Sequence, residues 1–426
     1  MPELDERQKC AVSAGPSDLF IAAGAGSGKT RVLTARFIAA ILGQPPFEPT
    51  APEELLTVTF TEKAAGELAE RVRRGLVDAG RPDAARRISD SWISTIHAMC
   101  ARIVRRHALD LGIDPRFGVL DQIRSSVMLT ESLDAAIGDL IDEDGQVTAL
   151  VDEFGFLQVS AALRSARADL VAAGRDVSDL MTITTEQVNR PLRRGADEAS
   201  ELADGFADLR QVKTTMTNAA EAKRLAVTLQ QATGGALGDV EGLDMLASIN
   251  FRHLRSVEGH EELVDAAKAL LERGCLCVAQ RVVATHERAF IRVLDRFAVR
   301  YTDEKRARGV LDFEDLQVLT AKLLHEREDI AEKYRAGFAM IMVDEFQDTN
   351  ALQMSIIERL ADGDLCTVGD ENQSIYSFRH ADVEVFRRRG RTVPTHVELD
   401  INYRIAGPLL ASINGLFSNA TLLGES

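Results

Sequence analysis

The stretch Ala-Gly-Ala-Gly-Ser-Gly-Lys-Thr, from Ala23 to Thr30, is the feature that most restricts what this chain can fold into. It follows the apolar run Leu19–Ala23, which predicts a buried strand, and it precedes helical spacing of apolar residues up to Leu42. When strand, glycine-rich loop and helix follow one another, backbone N–H groups and the helix N-terminus surround a phosphate group. The sequence therefore predicts a phosphate-binding loop at the edge of an α/β sheet.

Two side chains at the end of this stretch supply a charge and a metal ligand. We expect Lys29 to reach the β and γ phosphates of a nucleotide and the hydroxyl of Thr30 to hold Mg²⁺. Ala23 stands where the general pattern has glycine, and a glycine-rich turn without a ligand is the alternative interpretation. The strand–loop–helix context favours a site for a nucleoside triphosphate with magnesium.

A second apolar run, Ile341–Val343, ends in the two carboxylates Asp344 and Glu345. We predict that Asp344 belongs to the magnesium shell and that Glu345 orients and deprotonates an attacking water molecule. A helix N-cap with a charged first turn is the alternative for this pair. In combination with the phosphate loop, the pair indicates hydrolysis of the nucleotide.

Strands and helices alternate over residues 1–110 and again after residue 340, which predicts a parallel α/β sheet. Residues 120–310 are rich in Ala, Leu and charged residues and contain few β-branched runs. This composition predicts a mostly helical domain inserted into the sheet domain. The predicted strands are 19–23, 55–60, 92–94, 340–343 and 365–368, and the predicted helices of the sheet domain are 30–42, 62–77, 96–107 and 350–361.

The charge balance is acidic, with 50 Lys and Arg against 66 Asp and Glu and a net charge of −16. Taken alone, this argues against a nucleic-acid-binding protein, which usually presents a basic surface. The acidity is concentrated, because residues 131–160 hold eight acidic residues and no Lys or Arg. We interpret that run as a solvated helix face, which leaves a basic groove possible elsewhere.

Cysteine content and hydropathy bear on the compartment. The five cysteines are few and scattered along the 426 residues, which favours a reducing compartment and a cytoplasmic protein. No uncharged apolar run reaches the ~18 residues of a membrane span, and the polar first ten residues do not resemble a secretory signal. We therefore expect no membrane partner.

The carboxylates lie in a longer pattern, Asp-Glu-Phe-Gln-Asp-Thr-Asn from Asp344 to Asn350, and Gly-Asp-Glu-Asn-Gln-Ser-Ile-Tyr follows from Gly369 to Tyr376. Both resemble the UvrD/Rep/PcrA group of superfamily 1 helicases, whose phosphate loop also has the form AGAGSGKT. Further motifs of that group follow in family order: Leu4-Asp5-x-x-Gln8 (Q motif), Thr59-Phe60-Thr61-x-Lys63-Ala64-Ala65 (motif Ia), Ser94-Thr95-Ile96-His97 (motif Ib), Leu311-Asp312-Phe313-x-Asp315-Leu316 and Asn402-Tyr403-Arg404 (motif IV).

The resemblance implies roles for individual residues. Gln8 and Tyr403 would hold the adenine. Gln373 would sense the γ-phosphate, and Arg404 would reach it from a second motor domain. Aromatic rings would stack on single-stranded bases; core packing is the alternative for Phe60 and Phe378, and a structural role is the alternative for His97. The implied ATP-binding residues are Gln8, Ala23, Gly24, Ala25, Gly26, Ser27, Gly28, Lys29, Thr30, Arg31 and Tyr403, and the implied DNA-binding residues are Phe60, Thr61, Lys63, His97, Tyr376 and Phe378.

The resemblance also implies an architecture and an activity. It implies a RecA-like P-loop motor domain, 1A, over residues 1–118 and 296–396, a helical inserted domain, 1B, over 119–295, and the beginning of a motor domain, 2A, over 397–426. Motifs V and VI of the group are expected beyond Arg404, so we expect the chain to be an amino-terminal fragment, nearly inactive alone. The implied activity is an ATP- and Mg²⁺-dependent 3′-to-5′ DNA helicase acting on single-stranded DNA and on junctions of single and double strands.

Two further patterns resemble the AddA/RecB branch of recombination helicase–nucleases: Phe117–Gln122 after Asp114-Pro115, and Tyr301-x-x-x-Lys305 before Leu311. They imply a role in DNA repair or recombination and a helicase–nuclease partner subunit.

Two other functional classes stay open at the level of sequence. One is a non-motor, nucleotide-dependent subunit that binds DNA or a protein partner, against which the intact Lys29, Asp344 and Glu345 argue. The other is a kinase-like P-loop enzyme acting on a small molecule, against which the aromatic motifs beside phosphate-sensing residues argue. DNA-stimulated ATP hydrolysis separates the three classes.

Overall fold

A computed structural model describes residues 4–15, 17–180, 185–234, 239–254, 257–373, 383–405 and 407–409 of the chain. The strands are β1 Leu19–Ala23, β2 Leu55–Thr59, β3 Trp92–Thr95, β4 Gly118–Val119, β5 Val310–Leu311, β6 Met340–Val343, β7 Leu365–Gly369 and β8 Thr395–Leu399. The helices are α1 Glu6–Ser13, α2 Lys29–Leu42, α3 Glu62–Asp78, α4 Pro82–Arg87, α5 Ile96–Arg106, α6 Gln122–Glu143, α7 Gly145–Phe154, α8 Phe156–Ala172, α9 Thr185–Asp208, α10 Lys213–Gly234, α11 Asp239–Ala247, α12 His260–Arg308, α13 Phe313–Glu326, α14 Glu328–Gly337, α15 Ala351–Leu360 and α16 Val383–Thr392.

Six parallel strands form one sheet in the order β3-β2-β6-β7-β1-β8, and β4 pairs with β5 in a separate two-stranded sheet. The first strand of the chain lies between two late ones, because Leu19 pairs with Cys366 on β7 and with Thr395 on β8. The predicted parallel α/β sheet is confirmed. Since ligands of such sheets bind beyond the carboxyl ends of the strands, the loops after β1, β2, β6, β7 and β8 share the edge where a site is expected.

Both faces of the sheet are covered, which explains why its strands are apolar almost without interruption. On β1, Leu19 and Ile21 are fully buried in one core together with Phe37 of α2. Phe20 points to the opposite face, where its ring lies 4.9 Å from that of Phe386. This alternation holds β1 rigidly and so fixes the start of the loop that follows it.

The chain divides into two compact units. Unit 1 consists of Met1–Leu129, Ala166–Arg175 and Thr302–Ser426 and contains both sheets; unit 2 consists of Thr130–Ser165 and Asp176–Tyr301. Strand β8 continues the sheet of unit 1 to Leu399, past the position 396 at which the sequence-based division ends the first motor domain. The assignment of residues to domains 1A, 1B and 2A stays a prediction.

In the described part of unit 2, the regular secondary structure consists of helices without strands. Its core includes Phe206 of α9, Leu225 and Leu229 of α10 and Val264 of α12, all buried. The apolar residues of α9 and α10 meet along most of their length, as expected for an antiparallel helix pair that shares one core. The helical character predicted for this region of the chain is therefore observed.

Part of the acidic run 131–160 carries ion pairs with α12. The basic partners recur every four residues, which places them on one helix face. The interpretation of this run as a merely solvated face is therefore incomplete, because half-exposed arginines neutralise several of its carboxylates. The pairs are Arg292–Asp144 at 2.6 Å, Arg296–Glu143 at 3.6 Å and Arg300–Asp139 at 2.6 Å.

Candidate active site and nucleic-acid interface

The loop after β1 has the geometry of a phosphate-binding loop. Gly26 and Gly28 have φ of 74° and 92°, in the left-handed region that favours glycine. A Cβ atom on Gly28 would lie 2.7 Å from Nε2 of Gln8, so a side chain at this position is strained by its φ and would also displace the amide group of Gln8. Helix α2 begins at Lys29, and its first N–H groups and partial positive charge face the loop. Backbone and helix therefore provide an anion site in front of Lys29 and Thr30.

The two predicted carboxylates follow β6 directly at the same sheet edge. Nζ of Lys29 lies 2.9 Å from Oε2 of Glu345, and the lysine side chain is only 10% exposed. Glu345 has a φ of 51°, which is uncommon for a residue other than glycine and often marks a functional position. The fold thus brings the phosphate-loop lysine and the predicted catalytic carboxylate into direct contact.

Asp344 is buried, and the pKa of its carboxyl lies above the usual value. Burial, reinforced by the charge of Glu345, raises the pKa of its carboxyl to about 6, although Lys29 opposes the shift. Burial and the neighbouring carboxylate therefore outweigh the charge of Lys29 at Asp344, and a bound cation would favour its ionised form. Mg²⁺ prefers hard oxygen ligands and is commonly held by one or two protein groups together with substrate phosphates. The carboxylate of Asp344 and the hydroxyl of Thr30 fit that requirement, and in the described chain no cluster of three or more His, Cys, Asp or Glu forms a further metal site.

A continuous chain of hydrogen bonds leads from Lys29 to Gln373. Gln347 donates from Nε2 to Oε2 of Glu345 at 2.8 Å and accepts from the backbone N–H of Asp370 at 2.9 Å. Asp370 in turn accepts from Nε2 of Gln373 at 2.5 Å. The predicted sensor Gln373 is therefore connected to Glu345, the predicted catalytic carboxylate, through Gln347 and Asp370, to which the sequence analysis assigned no role.

The residues predicted to hold adenine contact the phosphate loop itself. Gln8, fully buried on α1, donates from Nε2 to the carbonyl of Ser27 at 2.9 Å. Tyr403 is half exposed; its backbone N–H donates to the carbonyl of Gly26 at 2.9 Å, and its hydroxyl donates to Asp5 at 2.5 Å. Gln8 and Tyr403 are thus brought together at the loop, and their contact with adenine stays a prediction.

Asn402 determines where the predicted arginine Arg404 lies. Asn402 donates from Nδ2 to the carbonyl of Ala25 at 2.8 Å, while its Oδ1 accepts from the backbone N–H of Arg404 at 2.8 Å. A Cβ atom on Gly26 would lie 2.8 Å from Cβ of Arg404, so the arginine crosses directly over the loop. Arg404 is exposed and close to the anion site.

Aromatic side chains gather at the ends of β2 and β3. A cavity of about 440 Å³ is lined by Phe60, His97 and Phe313 and extends to Asp344 and Glu345. The rings of His97 and Phe313 lie 5.1 Å apart edge to face, and Phe313 is 41% exposed. Phe60 and His97 are half-buried, so these rings are accessible from the cavity. The arrangement provides aromatic surfaces of the kind on which unpaired bases stack.

The other predicted DNA-binding residues are distributed differently. Thr61 is exposed, and its hydroxyl accepts from the backbone N–H of Ala64 at 3.1 Å, so it caps helix α3. Lys63 is exposed in the first turn of that helix. Tyr376 and Phe378 lie outside the described residues.

Phe313 lines the same cavity, although the sequence analysis noted only its motif and assigned it no function. It is the first residue of α13, whose start is held by a reciprocal capping box between Asp312 and Asp315. Nζ of the buried Lys305 lies 2.9 Å from Asp312 and 2.6 Å from Asp315. This buried charge cluster fixes the start of α13 and so places the ring of Phe313 against His97. In the sequence, the feature that could have identified Phe313 is an aromatic residue directly after a helix cap.

The match to a family model decides the family. The model of the UvrD/REP helicase N-terminal domain matches residues 4–394. The chain belongs to this family. The UvrD-type resemblance inferred from the motifs is therefore confirmed.

Among curated proteins, this UvrD/REP-family chain is similar to three ATP-dependent helicase/nuclease subunits A. That of Syntrophomonas wolfei is 27% identical, over 96% of this chain and 37% of the relative. Those of Alkaliphilus oremlandii and Listeria monocytogenes serotype 4b are 26% and 27% identical, over 98% and 96% of this chain and 39% and 38% of the relatives. The chain thus spans less than two-fifths of the length of these relatives. In the described residues, no helix is long and apolar enough to cross a membrane.

Proposed function

We propose that the chain is the amino-terminal motor half of an ATP-dependent 3′-to-5′ DNA helicase or translocase of DNA repair or recombination. The observation that carries the proposal is the cavity that runs from Phe60, His97 and Phe313 to Asp344 and Glu345. A DNA strand that stacks on these aromatic rings would lie next to Asp344 and Glu345, the carboxylates proposed to act on the nucleotide. Binding of DNA and hydrolysis of ATP are thereby coupled through shared residues of one sheet edge.

The ion pair of Lys29 with Glu345 supplies the first step of the proposed cycle. Phosphate groups entering the loop compete for the ammonium group, because the loop N–H groups and the helix N-terminus favour anions at that point. Glu345, no longer paired with Lys29, then orients a water molecule and accepts its proton. Gln347 meanwhile donates a hydrogen bond to Oε2 of Glu345. Lys29 and Arg404 stabilise the charge that develops on the phosphates.

Mg²⁺ held by Thr30 and Asp344 would neutralise phosphate charge and polarise the transferred group. Gln8 and Tyr403 receive the adenine. Thr61 and Lys63 contribute to the DNA side together with the aromatic rings, and we extend the same role to Tyr376 and Phe378 from the resemblance. The Gln373–Asp370–Gln347 chain transmits the state of the nucleotide between the two sides.

The remaining parts of the proposal rest on the family and its relatives. The names of the relatives support a helicase–nuclease partner subunit, and the family resemblance supports the 3′-to-5′ direction, DNA junctions as substrates and the division into domains 1A, 1B and 2A. A cytoplasmic location is supported by the thiols, since all five cysteines are free.

The test is ATP hydrolysis by the full-length protein that contains this chain, with and without single-stranded DNA. We expect turnover that rises on addition of an oligothymidylate and is lost in Lys29→Ala. Binding of ATP and DNA without turnover would identify a non-motor subunit instead. Turnover that requires a small phosphate acceptor and ignores DNA would identify a kinase. Duplexes with a 3′ or a 5′ tail then report the direction of any strand separation.

A further inference from the structure

Arg36 is a fully buried arginine of α2, two turns beyond the phosphate loop. Its guanidinium group donates to a set of backbone carbonyls at the end of α1 and just after it. NH1 lies 3.0 Å from the carbonyl oxygen of Ala11, 3.3 Å from that of Val12 and 2.7 Å from that of Ala14, and NH2 lies 3.4 Å from that of Gly15. One side chain therefore caps the last turn of a neighbouring helix from inside the protein.

These hydrogen bonds supply partners for carbonyl groups at the end of α1. The last carbonyls of any helix lack partners within the helix, and a positive charge near them is favourable. The planar guanidinium suits several carbonyls at once, whereas a lysine ammonium is a compact point charge. Asp364 at 3.7 Å and the ring of Phe47, 4.9 Å below the guanidinium carbon, complete the surroundings of the buried charge.

Helix α1 has only eight residues, so its position depends on contacts with the rest of unit 1. It carries Gln8, which is hydrogen-bonded to the carbonyl of Ser27 in the phosphate loop, and it follows Asp5, which accepts from the hydroxyl of Tyr403. Both residues proposed to hold the adenine are therefore fastened to α1, and α1 is fastened at its far end to α2 by Arg36.

We propose that Arg36 is a positioning residue that sets the selectivity of the nucleotide site for the adenine base. It clamps α1 to the same helix that begins the phosphate loop, so the base-holding residues keep a constant distance from the phosphates. Arg36 does not contact the nucleotide itself. The inference rests on the proposed function, because it assumes that ATP occupies this loop.

The test compares binding of a non-hydrolysable ATP analogue with that of its guanine counterpart, by titration calorimetry in the presence of Mg²⁺. Arg36→Lys keeps the charge and loses the planar group. We expect the preference for adenine to fall by about fivefold, the size of one lost neutral hydrogen bond, with a similar affinity for the triphosphate part. Gln8→Ala should lower the preference in the same way, and the two changes together should do little more than either alone.

Arg389→Lys is the matched control. Arg389 is also largely buried and also donates to a backbone carbonyl, that of Leu365, but it lies on α16 and its ion pair is with Asp18, outside α1. It should lower the melting temperature and leave the base preference unchanged. If Arg36→Lys does not fold, Phe47→Leu removes the ring from the guanidinium and should shift the preference in the same direction by less.

The outcomes separate the inference from the proposed function. A chain that binds neither nucleotide would remove the proposed function. A chain that binds both bases equally well, or an Arg36→Lys variant that keeps the adenine preference while Gln8→Ala loses it, would overturn the positioning role and leave the proposed function standing. Equal weakening of both nucleotides in Arg36→Lys would also overturn it, since that is the result of a merely structural role.

Discussion

Nζ of Lys29 and Oε2 of Glu345 lie 2.9 Å apart, although the two residues are separated by 316 positions in the chain. The contact joins the phosphate loop after β1 to the carboxylates after β6, two strands that are not neighbours in the sheet. It places the charge that would stabilise the phosphates beside the group that would activate water. The structure therefore places the two charged groups of the proposed reaction in direct contact.

In the full-length protein that contains this chain, Lys29→Met should slow ATP hydrolysis strongly without unfolding the protein. The change removes the cation that stabilises charge on the phosphates, and removing one such group typically slows turnover by about 10²–10³-fold. The measurement is steady-state ATP turnover beside a thermal melt. Lys9→Met is the control, because Lys9 pairs with Glu6 on the surface of α1 and should leave turnover unchanged. Near-normal turnover in Lys29→Met would remove the catalytic assignment.

Glu345→Gln should leave binding of Mg²⁺ and ATP largely intact and block hydrolysis. The amide keeps the shape of the side chain but cannot accept the proton of the attacking water. Asp344→Asn, in contrast, should weaken the magnesium dependence of binding because a proposed metal ligand loses its charge. Titration of nucleotide with and without Mg²⁺ separates the two. The division of roles fails if both variants lose affinity to the same extent.

Gly28→Ala should damage the phosphate loop, whereas Gly24→Ala should be tolerated by the fold. At Gly28 a methyl group meets Nε2 of Gln8 at 2.7 Å and the φ of 92° is unfavourable for alanine, while at Gly24 the described residues beyond its chain neighbours place no atom within 4 Å of the added carbon. We expect Gly28→Ala to lower the free energy of unfolding by about 1 kcal/mol or more and to prevent nucleotide binding. Equal melting temperatures for the two variants would contradict the observed loop geometry.

Phe60→Ala and Phe313→Ala should each weaken binding of an oligothymidylate by about 1–3 kcal/mol, with little dependence on sequence. The reason is the loss of an aromatic face that lines the cavity beside His97. Fluorescence anisotropy measures the affinity, and Leu109→Ala is the control, since Leu109 is an apolar side chain that is 83% exposed and does not line that cavity. Unchanged DNA affinity with a lowered melting temperature would show that the two rings serve the core only.

The Arg300–Asp139 pair of unit 2 should contribute modestly and in a salt-dependent way. Its side chains are 45% and 43% exposed, and exposed pairs are typically worth about 0.2–1 kcal/mol. A double-mutant cycle with Arg300→Ala and Asp139→Ala, followed by thermal unfolding, should give a coupling of that size that decreases in high salt. A coupling that high salt leaves unchanged would mean that the arginine contributes through packing of its stem.

Local patterns of the sequence were sufficient for the parallel α/β sheet, the phosphate loop and the carboxylates after β6. Each depends on residues close together in the chain: the glycines between an apolar run and Lys29, or Asp344 and Glu345 directly after a buried strand. The family could be inferred for the same reason, because its motifs are short and ordered. The composition of residues 120–310 likewise indicated helices without long-range information.

Only the tertiary structure decided which of these residues meet. Three contacts join segments that are separated in the sequence, and no local pattern encodes how close those segments lie in the fold. They are the contact of Lys29 with Glu345, the hydrogen-bonded chain from Gln373 through Asp370 and Gln347, and the hydrogen bonds of Arg36 to the end of α1. The surroundings of Phe313 and Asn402 likewise depend on residues that follow other strands, His97 after β3 and Ala25 after β1. The physical reason is that side-chain preferences act over a few residues, whereas the order β3-β2-β6-β7-β1-β8 determines which strand ends share one edge of the sheet.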